Sequence, residues 1–161
     1  MNASPSNENL TALVWKLAIG STLSWELAKI LGSHHPYLAP LSAILCLQST
    51  INQTLALSAK RLIGTVIGIM LTILIAANLR VTGWNLGLLI LIGGFITKYL
   101  KSDKITIHQV ALTILFVFVF EQQTKHYAMD RMRDTVIGLA AGVIIQILWF
   151  RFILPLKKRA I

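Results

Sequence analysis

Long apolar runs, separated by short polar stretches, leave this chain few ways to fold. Six runs can be placed, over residues 10–31, 37–55, 62–79, 84–100, 105–120 and 135–154. A helix needs about 20 apolar residues to cross the hydrocarbon core of a bilayer, and most of these runs approach that length. Charged residues make up only 13% of the chain, whereas about a quarter is usual in a soluble domain. The sequence therefore predicts a single all-α integral membrane domain over residues 1–161, with six transmembrane helices.

The basic residues are placed as membrane topology requires. The formal net charge is +9, which on its own could indicate a nucleic-acid-binding protein. Lys and Arg, however, lie at the ends of the apolar runs and in the tail at residues 157–159, and more of them fall on the side of the N-terminus. Because cytoplasmic loops carry the excess of Lys and Arg, both termini are predicted to be cytoplasmic. We expect these charges to meet the lipid bilayer and not nucleic acid.

The second run carries polar side chains at helical spacing. Ser42, Cys46, Ser49 and Gln53 follow one another at intervals of four, three and four residues. This spacing predicts one continuous polar face on one helix. Polar groups in the hydrocarbon core are costly unless they face a protein interior or water. We therefore predict substrate contacts from the polar side chains of this run, namely Gln48, Ser49, Asn52 and Gln53.

Three other runs have a face of small and polar residues. Where these faces contain glycines, their spacing indicates close packing between helices. Their members are Lys16, Gly20, Ser24 and Ala28 in the first run, Thr106, Gln109 and Thr113 in the fifth, and Gly138, Gly142 and Gln146 in the sixth. For Lys16 and Lys29 we favour side chains that extend to the membrane interfaces, as long cationic side chains in membrane helices commonly do.

A short internal repeat relates the two halves of the chain. Residues 61–68 (RLIGTVIG) and 131–138 (RMRDTVIG) share the pattern Arg-x-x-x-Thr-Val-Ile-Gly, 70 residues apart. Each unit then contains three apolar runs, and an odd number of spans inverts the second unit relative to the first. Inverted repeats are typical of transporters, which bind substrate between the halves. Close helix packing is expected at the glycines of this element and just beyond it, namely Gly64, Gly68, Gly138 and Gly142.

The repeat places an arginine and a threonine at the same position in each half. Each arginine is predicted to open a helix, and Arg61 does so after a basic bend that it shares with Lys60. Two interpretations of the arginines remain open. They could be topology anchors that contact lipid phosphate, or cations that gather carboxylates at each mouth of a transport path. On the second interpretation, the candidate substrate contacts are Arg61, Thr65, Arg131 and Thr135.

Four sequence motifs resemble the fusaric-acid-resistance-like (FUSC) integral membrane transporters. They are HPYLAPLSAIL at residues 35–45, LQSTINQT at 47–54, KRLIGTVIG at 60–68 and RDTVIG at 133–138. That family includes the aromatic acid exporters, with the plant aluminium-activated malate channels as more distant relatives. The resemblance implies export of aromatic or other organic acids from a bacterial inner membrane, by a homodimer with a path for anions.

The sequence offers little for metal, cofactor or enzyme chemistry. His34 and His35 would point to different sides of a helix, so we interpret them as a loop that ends the first helix. The single cysteine, Cys46, is interpreted as a small buried residue. We predict efflux of small organic, aromatic carboxylate-like anions, with no enzyme activity, metal or cofactor. Two alternatives stay open: a non-transporting membrane subunit that supports a partner protein, and a lipid-modifying membrane enzyme, for which no convergent nucleophile and acid are visible.

Overall fold

A computed structural model of the chain describes residues 8–48, 50–76, 79–121, 123–124 and 126–153. Within these ranges the chain is helical and contains no strand, so the predicted all-α class is confirmed. The helices are α1 (Glu8–Ile30), α2 (Leu38–Cys46), α3 (Ile51–Ala76), α4 (Gly83–Tyr99), α5 (Lys104–Phe120) and α6 (Tyr127–Leu148), followed by a π-helical turn at Trp149–Ile153.

Two segments of the described chain are long and apolar enough to cross a membrane. They are Ile51–Ile75 and Tyr127–Arg151, each of 25 residues. A helix of this length rises about 38 Å, more than the thickness of the hydrocarbon core, which is about 30 Å. α5 is a shorter apolar helix of 17 residues. The longest helices therefore support a membrane protein.

The helical hairpins α1–α2 and α4–α5 are built alike. α1 packs against α2, and α4 packs against α5. The first helix of each hairpin ends in a Schellman motif, in which the main-chain N–H of Ser33 or Ser102 donates to the carbonyl five residues before it, at 2.9 and 3.2 Å. The residue before each serine has the positive φ that this motif requires, 77° at Gly32 and 53° at Lys101. The first of these motifs leads into the loop predicted at residues 34–35.

The second apolar run is interrupted, so the prediction of one continuous helix over residues 37–55 is wrong. α2 ends at Cys46, and α3 begins at Ile51. The cause is Thr50, whose hydroxyl accepts a hydrogen bond from the Gln53 N–H at 3.4 Å and caps the start of α3. A threonine three residues before a glutamine is the spacing of a capping box, which starts a new helix.

The polar face predicted for this run is therefore not continuous. Ser42 and Cys46 lie on α2, Gln53 lies on α3, and Ser49 lies outside the described residues. α2 has nine residues and rises about 14 Å, less than half of the hydrocarbon core, so it does not cross a bilayer by itself.

The third helix passes through the basic pair without a bend. α3 is continuous at Lys60 and Arg61, so the bend predicted there is wrong. Arg61 lies near the middle of α3, and Arg131 lies after the first turn of α6, so neither arginine opens a helix. The helix dipole acts mainly on the first and last turns. Burial and side-chain contacts therefore govern the electrostatics of both arginines.

The chain divides into two compact units. The first comprises Met1–Ser58 and Asp134–Ile161, and the second comprises Ala59–Arg133. The first contains α1, α2 and the later part of α6, and the second contains α4, α5 and the later part of α3. A shift of 70 residues relates these helices one to one, so the two units have the same helix make-up. The units do not coincide with three consecutive helices each. The first unit takes the later part of α6 from the second half of the sequence, and the second unit takes the later part of α3 from the first half.

The small and polar faces of α1, α5 and α6 are buried. Their buried members are Lys16, Gly20, Ser24 and Ala28 on α1, Thr106, Gln109 and Thr113 on α5, and Gly138, Gly142 and Gln146 on α6. The apolar core of the second unit is formed by Leu89, Val110, Ile114 and Phe118. Helix faces thus bring polar groups into the interior of both units.

Candidate functional site

In each unit, glycines allow two helices to approach closely. These are α6 and α2 in the first unit, and α3 and α5 in the second. In the first unit, a methyl group on Gly138 would collide with the carbonyl oxygen of Ala39 on α2. In the second unit, methyl groups on Gly64 and Gly68 would each lie 2.7 Å from a Cβ atom on α5. Gly142 differs, because the nearest atom to its added methyl group would lie at an ordinary 3.7 Å. Main-chain contact at three of these glycines therefore sets the distance between helices that carry the polar side chains.

Lys16 is a buried cation of the first unit. Its side chain is only 3% exposed, so the prediction that it extends to a membrane interface is wrong. The ammonium donates to the main-chain oxygen of Gln48 at 2.8 Å and to Oε1 of Gln146 at 2.9 Å. Gln48 lies in the break between α2 and α3, and Gln146 lies on the buried face of α6. Two hydrogen bonds thus hold the ammonium between three elements of the first unit.

A buried amide lies at the centre of the second unit. Nε2 of Gln109 donates to the hydroxyl of Thr65 at 2.9 Å and, more weakly, to that of Thr113 at 3.4 Å. Oε1 of Gln109 is buried and has no partner in the described part of the chain. Buried amide oxygens are usually hydrogen-bonded. This oxygen can therefore accept a hydrogen bond from water or from a ligand.

Both arginines of the repeat are buried. Arg61 is 6% exposed and Arg131 is 0% exposed. The guanidinium carbon of Arg131 lies 4.8 Å from the centroid of the Phe116 ring, within the range of a cation–π interaction. The equivalent threonines, Thr65 and Thr135, are also fully buried. Burial favours the interpretation of the arginines as cations of the protein interior over that of anchors in contact with lipid phosphate.

Among the residues that the structure describes, the buried side chains carry more positive than negative charge. Asp134 is the buried carboxylate of this set, and it accepts a hydrogen bond from the Ser33 hydroxyl at 2.6 Å. Lys16, Arg61 and Arg131 are the buried cations among the residues that the structure describes. Within the same residues, no group of three or more His, Cys, Asp or Glu side chains could hold a metal ion. The buried charge of the described residues is therefore mainly positive.

Comparison with protein families identifies the chain. Residues 23–145 match the family described as fusaric acid resistance protein-like. The chain belongs to this family. The match extends from α1 into α6 and includes both arginines of the repeat, so the resemblance predicted from the motifs is confirmed. No curated protein and no solved structure matched the chain. Membership of the fusaric acid resistance protein-like family supports a membrane protein with a role in transport or resistance.

The predicted substrate contacts of this fusaric acid resistance protein-like chain fall into three groups. The four residues of the repeat are buried, namely Arg61, Thr65, Arg131 and Thr135. Gln48 contributes its main-chain oxygen to Lys16. Asn52 and Gln53 are exposed at the start of α3. Ser49 lies outside the described residues. The structure therefore joins Thr65 to Gln109 and Gln48 to Lys16, and it leaves Asn52 and Gln53 on the surface of the single chain.

Sequence reasoning missed Lys16 and Gln109 as candidate site residues. Both lie on the small and polar faces that the sequence predicted, so a signal was present. That signal indicated helix packing and not a binding site. One acceptor of Lys16 is the main-chain oxygen of Gln48, and no sequence pattern reveals a main-chain partner. The partner of Gln109 is 44 residues away on another helix.

Proposed function

We propose that this chain transports small organic anions of the aromatic carboxylate type across a membrane and exports them. The observation that carries the proposal is the excess of buried positive charge, three cations against one carboxylate among the described residues. A buried cation attracts an anion more strongly than an exposed one does, because protein screens charge less than water. Membership of a family with a role in transport or resistance supports the same function.

The proposed substrate contacts combine cations with hydroxyl and amide groups. Guanidinium groups bind carboxylates through two parallel hydrogen bonds, so Arg61 and Arg131 are the proposed carboxylate contacts. Thr65 and Thr135 follow them by four residues and lie on the same helix faces, where their hydroxyls replace water around the anion. The polar side chains Gln48, Ser49, Asn52 and Gln53 complete the proposed set.

The proposed architecture is a pair of inverted three-helix repeats. It is supported by the shared motif, by burial of the same arginine and threonine in each half, and by the equal helix make-up of the two units. Discontinuous helices are typical of transporter binding sites. In this proposal, both termini face the cytoplasm of a bacterial inner membrane.

A homodimer is the proposed assembly. Six helices leave little room for an aqueous path within one chain, and closed twofold dimers are the commonest soluble homo-oligomers, which makes two copies the simplest assembly. Chemical cross-linking in native membranes should give a band at twice the mass of the chain. A single-copy band under conditions that cross-link a known membrane dimer would contradict this assembly.

Flux of 4-hydroxybenzoate into proteoliposomes at pH 8 tests the transport proposal. The purified protein should move this anion faster than protein-free liposomes do. The Arg131→Gln variant should lower the rate at least about tenfold, because it removes a cation at a proposed carboxylate contact. Lys29→Gln is the matched control, because Lys29 is a basic residue with an exposed side chain. A wild-type rate equal to that of empty liposomes would show that the proposal is wrong.

A further inference from the structure

We propose that Lys16 is an anion-binding residue of the first unit, and that it holds a carboxylate of the transported anion beside the break between α2 and α3. This assignment rests on the transport function proposed above and adds a residue outside the repeat motif. α1 carries Lys16, the break carries Gln48, and α6 carries Gln146. The site is therefore built from three elements of one compact unit.

The two described hydrogen bonds of Lys16 use two of its three N–H donors, and they do not neutralise its positive charge. An ammonium group has three N–H donors and one positive charge. Two donors reach the main-chain oxygen of Gln48 and Oε1 of Gln146, and both acceptors are neutral. The described partners of Lys16 thus include no carboxylate, although the side chain is almost completely buried. A buried cation with neutral partners favours an anionic ligand at its remaining donor.

The break holds the acceptor for Lys16 in a fixed position. The main-chain N–H of Gln48 donates to the hydroxyl of Thr54 at 3.1 Å, which ties the peptide between Leu47 and Gln48 to the first turn of α3. Non-helical backbone within a membrane protein is tolerated where it is buried in protein or lines a water-filled cavity. The ammonium is thus held by groups that are themselves positioned, as in a preorganised binding site.

A purely structural role for Lys16 is the alternative. In that case the side chain only ties α1 to α6, and its removal lowers stability without changing how flux depends on anion concentration. Anion binding by Lys16 instead means that its removal raises the half-saturating concentration, and that the anion protects position 16 from chemical modification. Affinity and protection therefore distinguish the two roles, whereas loss of activity alone does not.

The test is Lys16→Cys in a Cys46→Ala background, because Cys46 is the single cysteine of the chain. We expect the half-saturating concentration of 4-hydroxybenzoate to rise about tenfold or more relative to the Cys46→Ala parent. Treatment with 2-aminoethyl methanethiosulfonate restores an ammonium at position 16 and should restore the affinity. Methyl methanethiosulfonate, which adds a neutral group, should not. 4-Hydroxybenzoate should slow the modification, and the neutral analogue 4-hydroxybenzamide should not.

The assignment of Lys16 is overturned if the Lys16→Cys variant keeps the half-saturating concentration of its parent, or if the anion gives no protection. If neither the wild-type protein nor the parent moves 4-hydroxybenzoate, the transport function itself fails. A measurement on the wild-type protein then decides the binding site without any variant. Photolysis with 4-azidobenzoate should label α1, the break or α6 near Lys16, and labelling confined to other segments would overturn the assignment.

Discussion

The ammonium of Lys16 lies 2.8 Å from the main-chain oxygen of Gln48, which joins α1 to the break between α2 and α3. The same ammonium lies 2.9 Å from Oε1 of Gln146 on α6. One buried side chain therefore connects three elements of the first unit. The two acceptors differ in kind, because one belongs to the main chain and the other to a side chain. Substitutions at Gln48 and Gln146 should consequently have unequal effects.

Gln146→Leu should destabilise the protein much more than Gln48→Ala. The first substitution removes an acceptor from a buried ammonium, which is expected to lower the free energy of unfolding by about 1–3 kcal/mol. The second leaves the main-chain oxygen in place, so a change within about 0.5 kcal/mol is expected. Thermal unfolding of the purified variants in one detergent measures the difference. Equal losses would contradict the predicted difference between a side-chain acceptor and a main-chain acceptor of Lys16.

Gly138→Ala should be strongly destabilising, because the added methyl group meets the carbonyl oxygen of Ala39. Neither main chain can move without separating α6 from α2, so a loss of about 1–3 kcal/mol or more is expected. Gly94→Ala is the matched control within α4, because a methyl group there has no neighbour within 4 Å. Its effect should be neutral or stabilising by up to about 1 kcal/mol, the difference in helix propensity. Similar melting temperatures for the two variants would contradict the close contact of α6 with α2.

The small and polar faces of the helices could be predicted from the sequence, whereas the break could not. Lys16 and Gln109 lie on faces defined by residues three or four apart, and this periodicity is a local property of the chain. The break depends on the capping pair Thr50 and Gln53, a short signal inside an apolar run of constant hydropathy. A prediction based on hydropathy alone therefore joins α2 and the start of α3 into one helix.

The contacts of the candidate site depend on residues that are far apart in the sequence. Lys16 and Gln146 are separated by 130 residues, and Thr65 and Gln109 by 44. The sequence identifies these polar side chains as members of buried faces, but it does not indicate which face meets which. Only the packing of the helices decides the partners, since each face could meet several others.

A double-mutant cycle should detect the hydrogen bond between Thr65 and Gln109. Thr65→Val removes the acceptor and keeps the shape of the side chain, and Gln109→Leu removes the donor. The coupling free energy should be about 0.5–1.5 kcal/mol, the usual net contribution of a buried hydrogen bond between neutral groups. Thr65→Ser is the control, because it retains the hydroxyl. Thermal unfolding of the single and double variants gives the coupling, and a value near zero would mean that the two side chains do not interact.

Asp103 connects the start of α5 to α3. Its carboxylate forms an ion pair with Lys60, and it accepts hydrogen bonds from the main-chain N–H and the hydroxyl of Thr106 at 3.3 and 2.9 Å. The hydrogen bond with Lys60, followed by that with the Thr106 side chain, lowers the pKa of the Asp103 carboxyl. Because this pKa is lower in the folded chain than in the unfolded chain, the stabilisation is complete at neutral pH. It is lost as the pH falls below about 4.

Asp103→Asn and Asp103→Ala should separate the ion pair from the helix cap. Asparagine also caps helices, but it cannot form an ion pair with Lys60, so the Asn variant should lose only the part of the stability that depends on charge. Alanine removes both interactions and should give the lower melting temperature at neutral pH. The difference between the wild-type protein and the Asn variant should stay constant from about pH 7 to pH 5 and shrink as the pH falls below about 4, because protonation then removes the charge of Asp103. Lys60→Met should reproduce the behaviour of the Asn variant, and a difference that does not change with pH would contradict the lowered pKa of Asp103.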